Sequence, residues 1–311
     1  MARLSSAFLS MGIATLSLGG CGGFPASEAM PDPVHQLLQP SGEVQYVSDF
    51  SNGTVTEFDY PNDTSPIGQI TGVNDANGEC TSGARTFWVV ASGADQVEEF
   101  KAGGSKPIAT LTTKAGEPSG CAIDAATGDL AVTIITNGDV VIFKSGDKSA
   151  KTLNSGLLEA LFDGYDAKGN LFVDGLNGSN ASQLVELPKG RTHFQGISIS
   201  MRSPSGGSIQ WDGKYLAIGG GSAIYRYRIV GKKAILKGIV SLAGSSDCVQ
   251  TWIVRKLVFC ADAGLDEGLV YKYPAGGSAI ATLSGSFNLP AGVVSLSASR
   301  RALPGNGVPP R

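Results

Sequence analysis

The chain has 311 residues, of which 43 are glycine, and a formal charge of −3 from 24 basic and 27 acidic side chains. That much glycine excludes a helix bundle, and 42% hydrophobic with only 16% charged residues excludes a disordered polyelectrolyte. The near balance of charge gives no sign of the clustered basic face that nucleic-acid binding needs, so no nucleic-acid partner is expected.

In chain order, Arg3 precedes a mostly apolar run from Leu4 to Leu18, shorter than the roughly 20 residues needed to span a bilayer. It reads as the apolar region of a secretory signal. Leu18-Gly19-Gly20-Cys21 follows at once and resembles the bacterial lipobox, an apolar residue and two small ones before a cysteine that receives lipid. The resemblance implies cleavage before Cys21 and a lipid thioether on its thiol. It also implies several acyl chains, because one chain alone holds a protein only marginally, at about 0.8 kcal/mol per buried CH2. Gly22 in place of Asp implies onward export from the inner membrane of a two-membrane envelope. Residues 1–20 are thus expected to be a lipoprotein signal peptide. Residues 21–42, rich in Pro and Gly without a sustained period, are expected to be a flexible tether.

Residues 43–299 carry a repeat, which decides the fold. Segments beginning at Val44, Thr86, Asp129, Asn170, Lys214 and Lys256 align, their starts 41 to 44 residues apart. Each holds an apolar strand, a polar turn, a second strand ending near an aromatic residue (Phe58, Phe100, Phe143, Tyr227, Tyr273) and a third apolar strand. The fourth has Leu187 in place of the aromatic, and a further short strand precedes each unit from the third onward. A four-stranded sheet of this size cannot bury both faces alone and packs on its neighbours around an axis. The expected fold is all-β, a six-bladed β-propeller of four-stranded antiparallel blades. Leu289 to Arg300 matches Glu117 to Gly128, so a C-terminal strand is expected to join the N-terminal blade and close the ring. Residues 300–311 are expected to be a disordered tail.

Tyr46-Val47-Ser48-Asp49 with Asn52 and Val55, and more loosely Phe172-Val173-Asp174 and Phe259-Cys260-Ala261-Asp262, resemble the blade pattern of NHL-repeat and TolB-like six-bladed propellers. The resemblance implies the fold and leaves function open, since propellers host unrelated activities. Trp211-Asp212 is the sole Trp-Asp pair and sits in a different part of the blade, so WD-repeat propellers fit worse.

With Cys21 assigned to lipid, Cys80, Cys121, Cys248 and Cys260 remain, an even number with three possible pairings that suits an oxidising compartment. A hairpin turning at Val254 places Cys248 opposite Cys260. Cys80 and Cys121 then occupy equivalent positions on neighbouring innermost strands. The expected disulfides are Cys248–Cys260 and Cys80–Cys121.

Catalytic signals are sparse. His35 falls in the tether and His193 in a predicted outer strand, and the chain has no nucleophile elbow, zinc-protease helix motif, phosphate loop or dinucleotide fingerprint. Asp49, Asp174 and Asp262 end second strands and are expected to bond the turns that follow. Asn74 to Glu79 lacks the spacing of a calcium loop. Trp88, Trp211 and Trp252 are expected in packing between blades. Loops linking one blade to the next offer Asp75, Glu79, Glu117, Arg202 and Asp247 as candidate ligand-binding residues around the mouth of the axis.

The expected protein is a monomeric, exported, lipid-anchored envelope propeller facing the periplasm or cell exterior. It would bind an envelope protein, a glycan or a small ligand, with no cofactor, metal or catalytic residue. The alternative is a metal-dependent lactonase or esterase resembling the gluconolactonase group, whose members hold a divalent ion such as Ca2+ with carboxylates and amides from several blades.

Overall fold

Apart from one 3-10 turn at Ser92–Ala94, every regular element in the computed structural model is a β-strand among the described residues, which are 43–83, 85–147, 149–199 and 207–297. The signal peptide, tether, tail, Cys21 and Arg202 lie outside them. The chain opens with β1 (Glu43–Asp49), β2 (Thr54–Phe58) and β3 (Pro66–Thr71). Next come β4 (Ala76–Cys80), β5 (Thr86–Ala91), β6 (Gln96–Lys101) and β7 (Pro107–Thr112), then β8 (Pro118–Ile123), β9 (Leu130–Ile134), β10 (Asp139–Phe143) and β11 (Ala150–Asn154). The middle of the chain forms β12 (Glu159–Tyr165), β13 (Leu171–Leu176), β14 (Ser182–Leu187) and β15 (Gln195–Ile199). These are followed by β16 (Ile209–Trp211), β17 (Leu216–Gly220), β18 (Ala223–Val230) and β19 (Lys233–Ala243). The last group is β20 (Cys248–Val254), β21 (Leu257–Asp262), β22 (Glu267–Lys272), β23 (Gly277–Ser278), β24 (Ala281–Leu283) and β25 (Pro290–Ser297).

These strands build a propeller-like ring of antiparallel meanders. β25 returns to pair with β1 from Glu43 opposite Ser297 to Asp49 opposite Pro290, giving a sheet ordered β25-β1-β2-β3. The C-terminal strand therefore completes the N-terminal blade and covers the inner edge of β1. Three more four-stranded sheets follow: β4 to β7, β8 to β11, and β20, β21, β22 and β24. The remaining strands correct the expectation of six separate blades. The antiparallel meanders β12 to β15 and β16 to β19 join through a short parallel pairing of their outer strands, Ser198 with Lys233 and Ile199 with Ala234. With β23 added on β19 they make one nine-stranded sheet. The join forms because β19 is long, and its first residues run beside the end of β15.

Burial follows position in each meander. The second strands β9 and β21 are buried along their whole length, which is why they read as unbroken apolar runs rather than alternations. The outermost strands β3 and β7 bury one side chain each, Ile70 and Leu111. The aromatic residues expected near the third strand's end, Phe58, Phe100, Phe143, Tyr227 and Tyr273, are all buried, each side chain of that size contributing about 1.5–3 kcal/mol. The buried clusters fill the spaces between consecutive meanders, as where Tyr46 stacks on Phe87 with ring centroids 4.1 Å apart. All described core clusters, the closing pairing and both disulfides lie within residues 43–297, so the ring carries its own core, closure and cross-links.

Both expected disulfides are present, but their positions correct the reasoning. The β20/β21 hairpin turns at Arg255 and Lys256, so Cys248 opposes Asp262 and Cys260 opposes Thr251. A bulge after Cys248 brings the two Cα atoms to 5.7 Å. Cys80 and Cys121 are not at equivalent positions. The aromatic pairs Phe87–Phe100 and Leu130–Phe143 align Val89 with Val132, and these oppose Glu79 and Cys121 respectively. Cys80 is one residue further along. Equivalent residues on neighbouring blades point the same way round the ring and cannot meet, whereas a shift of one turns Cys80 toward Cys121.

Candidate functional site

The innermost strands β25, β4, β8, β12, β16 and β20 succeed one another around the axis, the last pair through Ser208 and Thr251 hydroxyls 2.8 Å apart and through Gln210. Glycine permits their close approach. A Cβ on Gly78 would stand 2.7 Å from the Ser119 carbonyl oxygen, and one on Gly120 would stand 2.8 Å from that of Leu161.

A cavity of about 580 Å³ occupies the end of the axis where these strands finish. Every innermost strand contributes to it: Cys80, Cys121, Phe162 to Tyr165, Ser208 to Trp211, Gln250 to Trp252, and Ser295. Its exposed lining residues, Ser82, Gly83, Ala125 and Ala167, lie in the loops after the innermost strands, so it opens on that face. Four aromatic residues (Phe162, Tyr165, Trp211 and Trp252), hydroxyls (Ser208, Thr251 and Ser295) and the amides of Gln210 and Gln250 face it without any Lys or Arg. Trp211 and Trp252, expected in packing between blades, both line it, and Trp252 also packs against two of the core clusters. The Cys80–Cys121 disulfide forms part of its wall.

Two carboxyl groups on these strands have no hydrogen-bond partner, Glu79 on β4 and Asp163 on β12. They occupy the same register position, opposite Val89 and Val173, with Cys121 opposite Val132 between them. Glu79 is fully buried, and desolvation raises its pKa well above the usual range, while the Val294 N–H and Ser48 hydroxyl face it outside hydrogen-bonding geometry. Asp163 lines the cavity at 4% exposure, and burial followed by the charge of Asp174 raises it well above the ordinary Asp value. A buried carboxyl without a partner is most stable neutral, with an O–H to donate and a carbonyl to accept.

Their surroundings differ. Beside Glu79, the Gln250 side-chain oxygen accepts the N–H groups of Glu79 (2.9 Å) and Val293 (3.1 Å), and its amide donates to the Glu79 carbonyl (2.7 Å). One side chain thus ties β20, β25 and β4 together. Beside Asp163, the Thr133 hydroxyl donates to the Leu161 carbonyl (2.8 Å) and accepts the Gly120 N–H (2.8 Å), tying β8, β9 and β12. Neighbouring Asp174 accepts the N–H of Gly207 at 2.7 Å and of Phe162 at 3.3 Å, and burial pushes its pKa up to about 8.

Asp49 and Asp262, expected to bond the turns that follow them, do so through the N–H groups of Asn52, Gly264 and Leu265, whereas Asp174 bonds Phe162 and Gly207 instead. Asp262 accepts from the Ser245 hydroxyl and the N–H groups of Ser246 and Asp247, and Asp49 accepts from the N–H groups of Asn52 and Asn288. Of the candidate ligand residues, Asp75, Glu117 and Asp247 precede the innermost strands, at the end of the ring away from the cavity mouth. Asp75 and Asp95 lie close enough to Glu117 to reinforce the rise in its pKa that desolvation begins. Glu79 is inside β4 rather than in a loop, and Arg202 is outside the described residues. His193 is exposed in the loop between β14 and β15, with the Thr192 hydroxyl 3.0 Å from its Nδ1.

The two faces carry opposite charge. Loops on the cavity face expose Arg85, Lys106, Lys144, Lys168, Lys189, Arg191, Lys214, Lys232, Arg255 and Lys256, against exposed Asp63 and Asp147 and half-buried Asp59, Asp129, Asp166 and Asp212. Loops on the opposite face expose Asp95, Glu117, Asp247 and Asp266, against Lys114. The near-neutral total conceals this division. Among the described residues no three His, Cys, Asp or Glu side chains converge to hold an ion. Asp174 is engaged by the main-chain N–H groups of Gly207 and Phe162.

No protein-family model and no curated protein matches the chain. Solved structures of propeller type do. A chain from the crystal structure of a nidogen/laminin complex superposes with a TM-score of 0.68 at 12% identity, covering 83% of this chain and 99% of that one. A functionally unknown protein from Desulfotomaculum acetoxidans DSM 771 gives 0.57 at 12% identity, covering 82% and 99%. Hydrazine synthase from Kuenenia stuttgartiensis gives 0.55 at 12% identity, covering 73% and 72%. At this identity the likeness establishes the fold alone. The two disulfides point to an oxidising, exported environment, and no described helix is long and apolar enough to cross a membrane.

Proposed function

We propose that the chain is a lipid-anchored envelope propeller of the NHL/TolB-like kind, a non-enzymatic binding module whose axial cavity takes a small ligand. Reading the nine-stranded sheet as two four-stranded blades with fused rims gives the sixfold ring of that group. The observation that carries the binding function is the cavity itself. All six innermost strands wall it, aromatic faces and neutral polar groups line it, and one unpartnered buried carboxyl, Asp163, borders it. Unpaired buried polar groups are costly, and a ligand that hydrogen-bonds Asp163 removes that cost. The lining carries no Lys or Arg and holds a second, half-buried carboxylate, Asp166, so it does not suit an anion; the ligand proposed is a partly apolar molecule with hydroxyl or amide groups, held by stacking and hydrogen bonds. Lipid attachment at Cys21 supplies the address, and the disulfides are consistent with it.

A thermal-shift panel of neutral saccharides, nucleosides and amides, run on the parent and on Asp163→Leu and Trp211→Ala, tests this reading. Expected is at least one compound that raises Tm in the parent and in neither variant. No active compound, or actives indifferent to both substitutions, would remove the cavity as the binding site.

A further inference from the structure

The charge division between the faces assigns a second surface. We propose that the cavity face docks electrostatically on an anionic lipid bilayer, turning the mouth of the axial cavity toward the membrane. Three observations support it. Exposed cations outnumber exposed anions on this face, with Lys168, Lys214, Arg255 and Lys256 in the loops nearest the cavity and Lys189 and Lys232 further out, while the opposite face is acidic. The described chain begins on this same face: Glu43 pairs with Ser297 at the end of β25, two residues past cavity-lining Ser295, and meets Arg255 at 3.3 Å. Finally, residues 21–42 separate Glu43 from Cys21 by at most about 75 Å of fully extended chain. Lipid on Cys21 would hold the ring near the bilayer by its cationic side, where the negative surface potential acts on each Lys and Arg within a Debye length.

Apposition also restricts what reaches the cavity. Its mouth, framed by Ser82, Ala125 and Ala167, would open on the headgroup layer, so ligands would arrive from the membrane surface rather than from open solvent. The acidic face would be left free. This proposal rests on the lipid-anchor reading for its geometry, and the two are tested separately.

Residues 22–311 keep every described strand, core cluster and disulfide of the ring and lack both the lipidation site and the apolar leader. This protein is sedimented with vesicles of phosphatidylglycerol in phosphatidylcholine, and with phosphatidylcholine alone. Expected is binding to the anionic vesicles only, weakening as salt is raised. Lys168→Glu, Lys232→Glu and Lys256→Glu together, at unchanged Tm, should lower partitioning by at least about a hundredfold, near fivefold per cation lost before the added carboxylates repel the surface. Lys114→Glu on the opposite face should leave it unchanged. Equal binding to both vesicles, binding to neither, indifference to the triple substitution, or binding to duplex DNA at lower protein concentration than to the anionic vesicles would each overturn the proposal. The mass of the protein isolated from membranes tests the anchor independently: an unmodified Cys21 removes the anchor and leaves the vesicle result to decide the face.

Discussion

Glu79 and Asp163 hold the same register position on innermost strands two meanders apart, and both are buried carboxyls without a partner. Around Glu79 the backbone is locked, because Gln250 spends its whole amide on β4 and β25. Around Asp163 the backbone is held as well, by the Thr133 hydroxyl on the Leu161 carbonyl and by Asp174 on the Phe162 N–H, but the space beside the carboxyl is the cavity. The half of the axis around Glu79 is therefore sealed by protein groups, and the half around Asp163 leaves that carboxyl bordering open space. Catalytic and binding sites commonly hold such uncompensated groups, with rigidity supplied elsewhere.

The largest way to disturb this division is to cut the link between the halves. Cys80→Ser with Cys121→Ser removes a bridge closing a separation of 41 residues, and should cost about 4 kcal/mol by the chain-entropy estimate, read as a lower denaturation midpoint. Removing Cys248–Cys260, with a separation of 12, should cost about 3 kcal/mol. Gln250→Leu strands two N–H groups and a carbonyl in the locked half, and should destabilise by roughly 3 kcal/mol; a loss under about 1 kcal/mol would show that the staple is dispensable.

A subtler effect separates the halves by pH. Glu79, Asp163 and Asp174 all have folded pKa values raised above their unfolded ones, Asp174 to about 8 from 3.8. Their protonated forms favour the fold, so this contribution is complete below the unfolded values and is lost as pH rises through the folded ones. Tm should fall as pH rises from about 4 to about 8, the interval between the unfolded and folded values of Asp174. Asp163→Asn cannot ionise, so it should flatten that fall, and its stability relative to the parent should increase as pH rises from about 4 through neutrality. Parallel curves for parent and variant would mean that Asp163 is already compensated.

The sequence made the ring legible because the evidence for it is local and repeated: apolar strands at a regular spacing, turns such as Asn137-Gly138, and a terminal segment matching an internal one. Gly138 shows how strongly such a turn is fixed, with φ +71° and the Leu157 carbonyl occupying the place of any Cβ. The candidate site was less legible for a physical reason. Bulges interrupt β4 between Ala76 and Glu79, β8 between Pro118 and Cys121, β12 between Ala160 and Phe162, and β20 between Cys248 and Gln250. Each bulge changes which side chains face the axis, so simple alternation fails in the strands that build the cavity. Asp163 and Gln250 consequently read as ordinary strand residues, while Asp75, Glu117 and Asp247, conspicuous in their loops, lie at the other end of the ring. An acidic residue inside an otherwise apolar innermost strand, as in Leu161-Phe162-Asp163, was the available signal.

The most direct measurement is a high-resolution crystal structure of the protein isolated from its own envelope, or grown with an active compound from the thermal-shift panel. Expected is a molecule in the axial cavity with a polar atom within hydrogen-bonding distance of the Asp163 carboxyl and an apolar face against Trp211 or Trp252. The same molecule bound at the acidic face instead, or a cavity in which Asp163 is satisfied by a protein group, would contradict it.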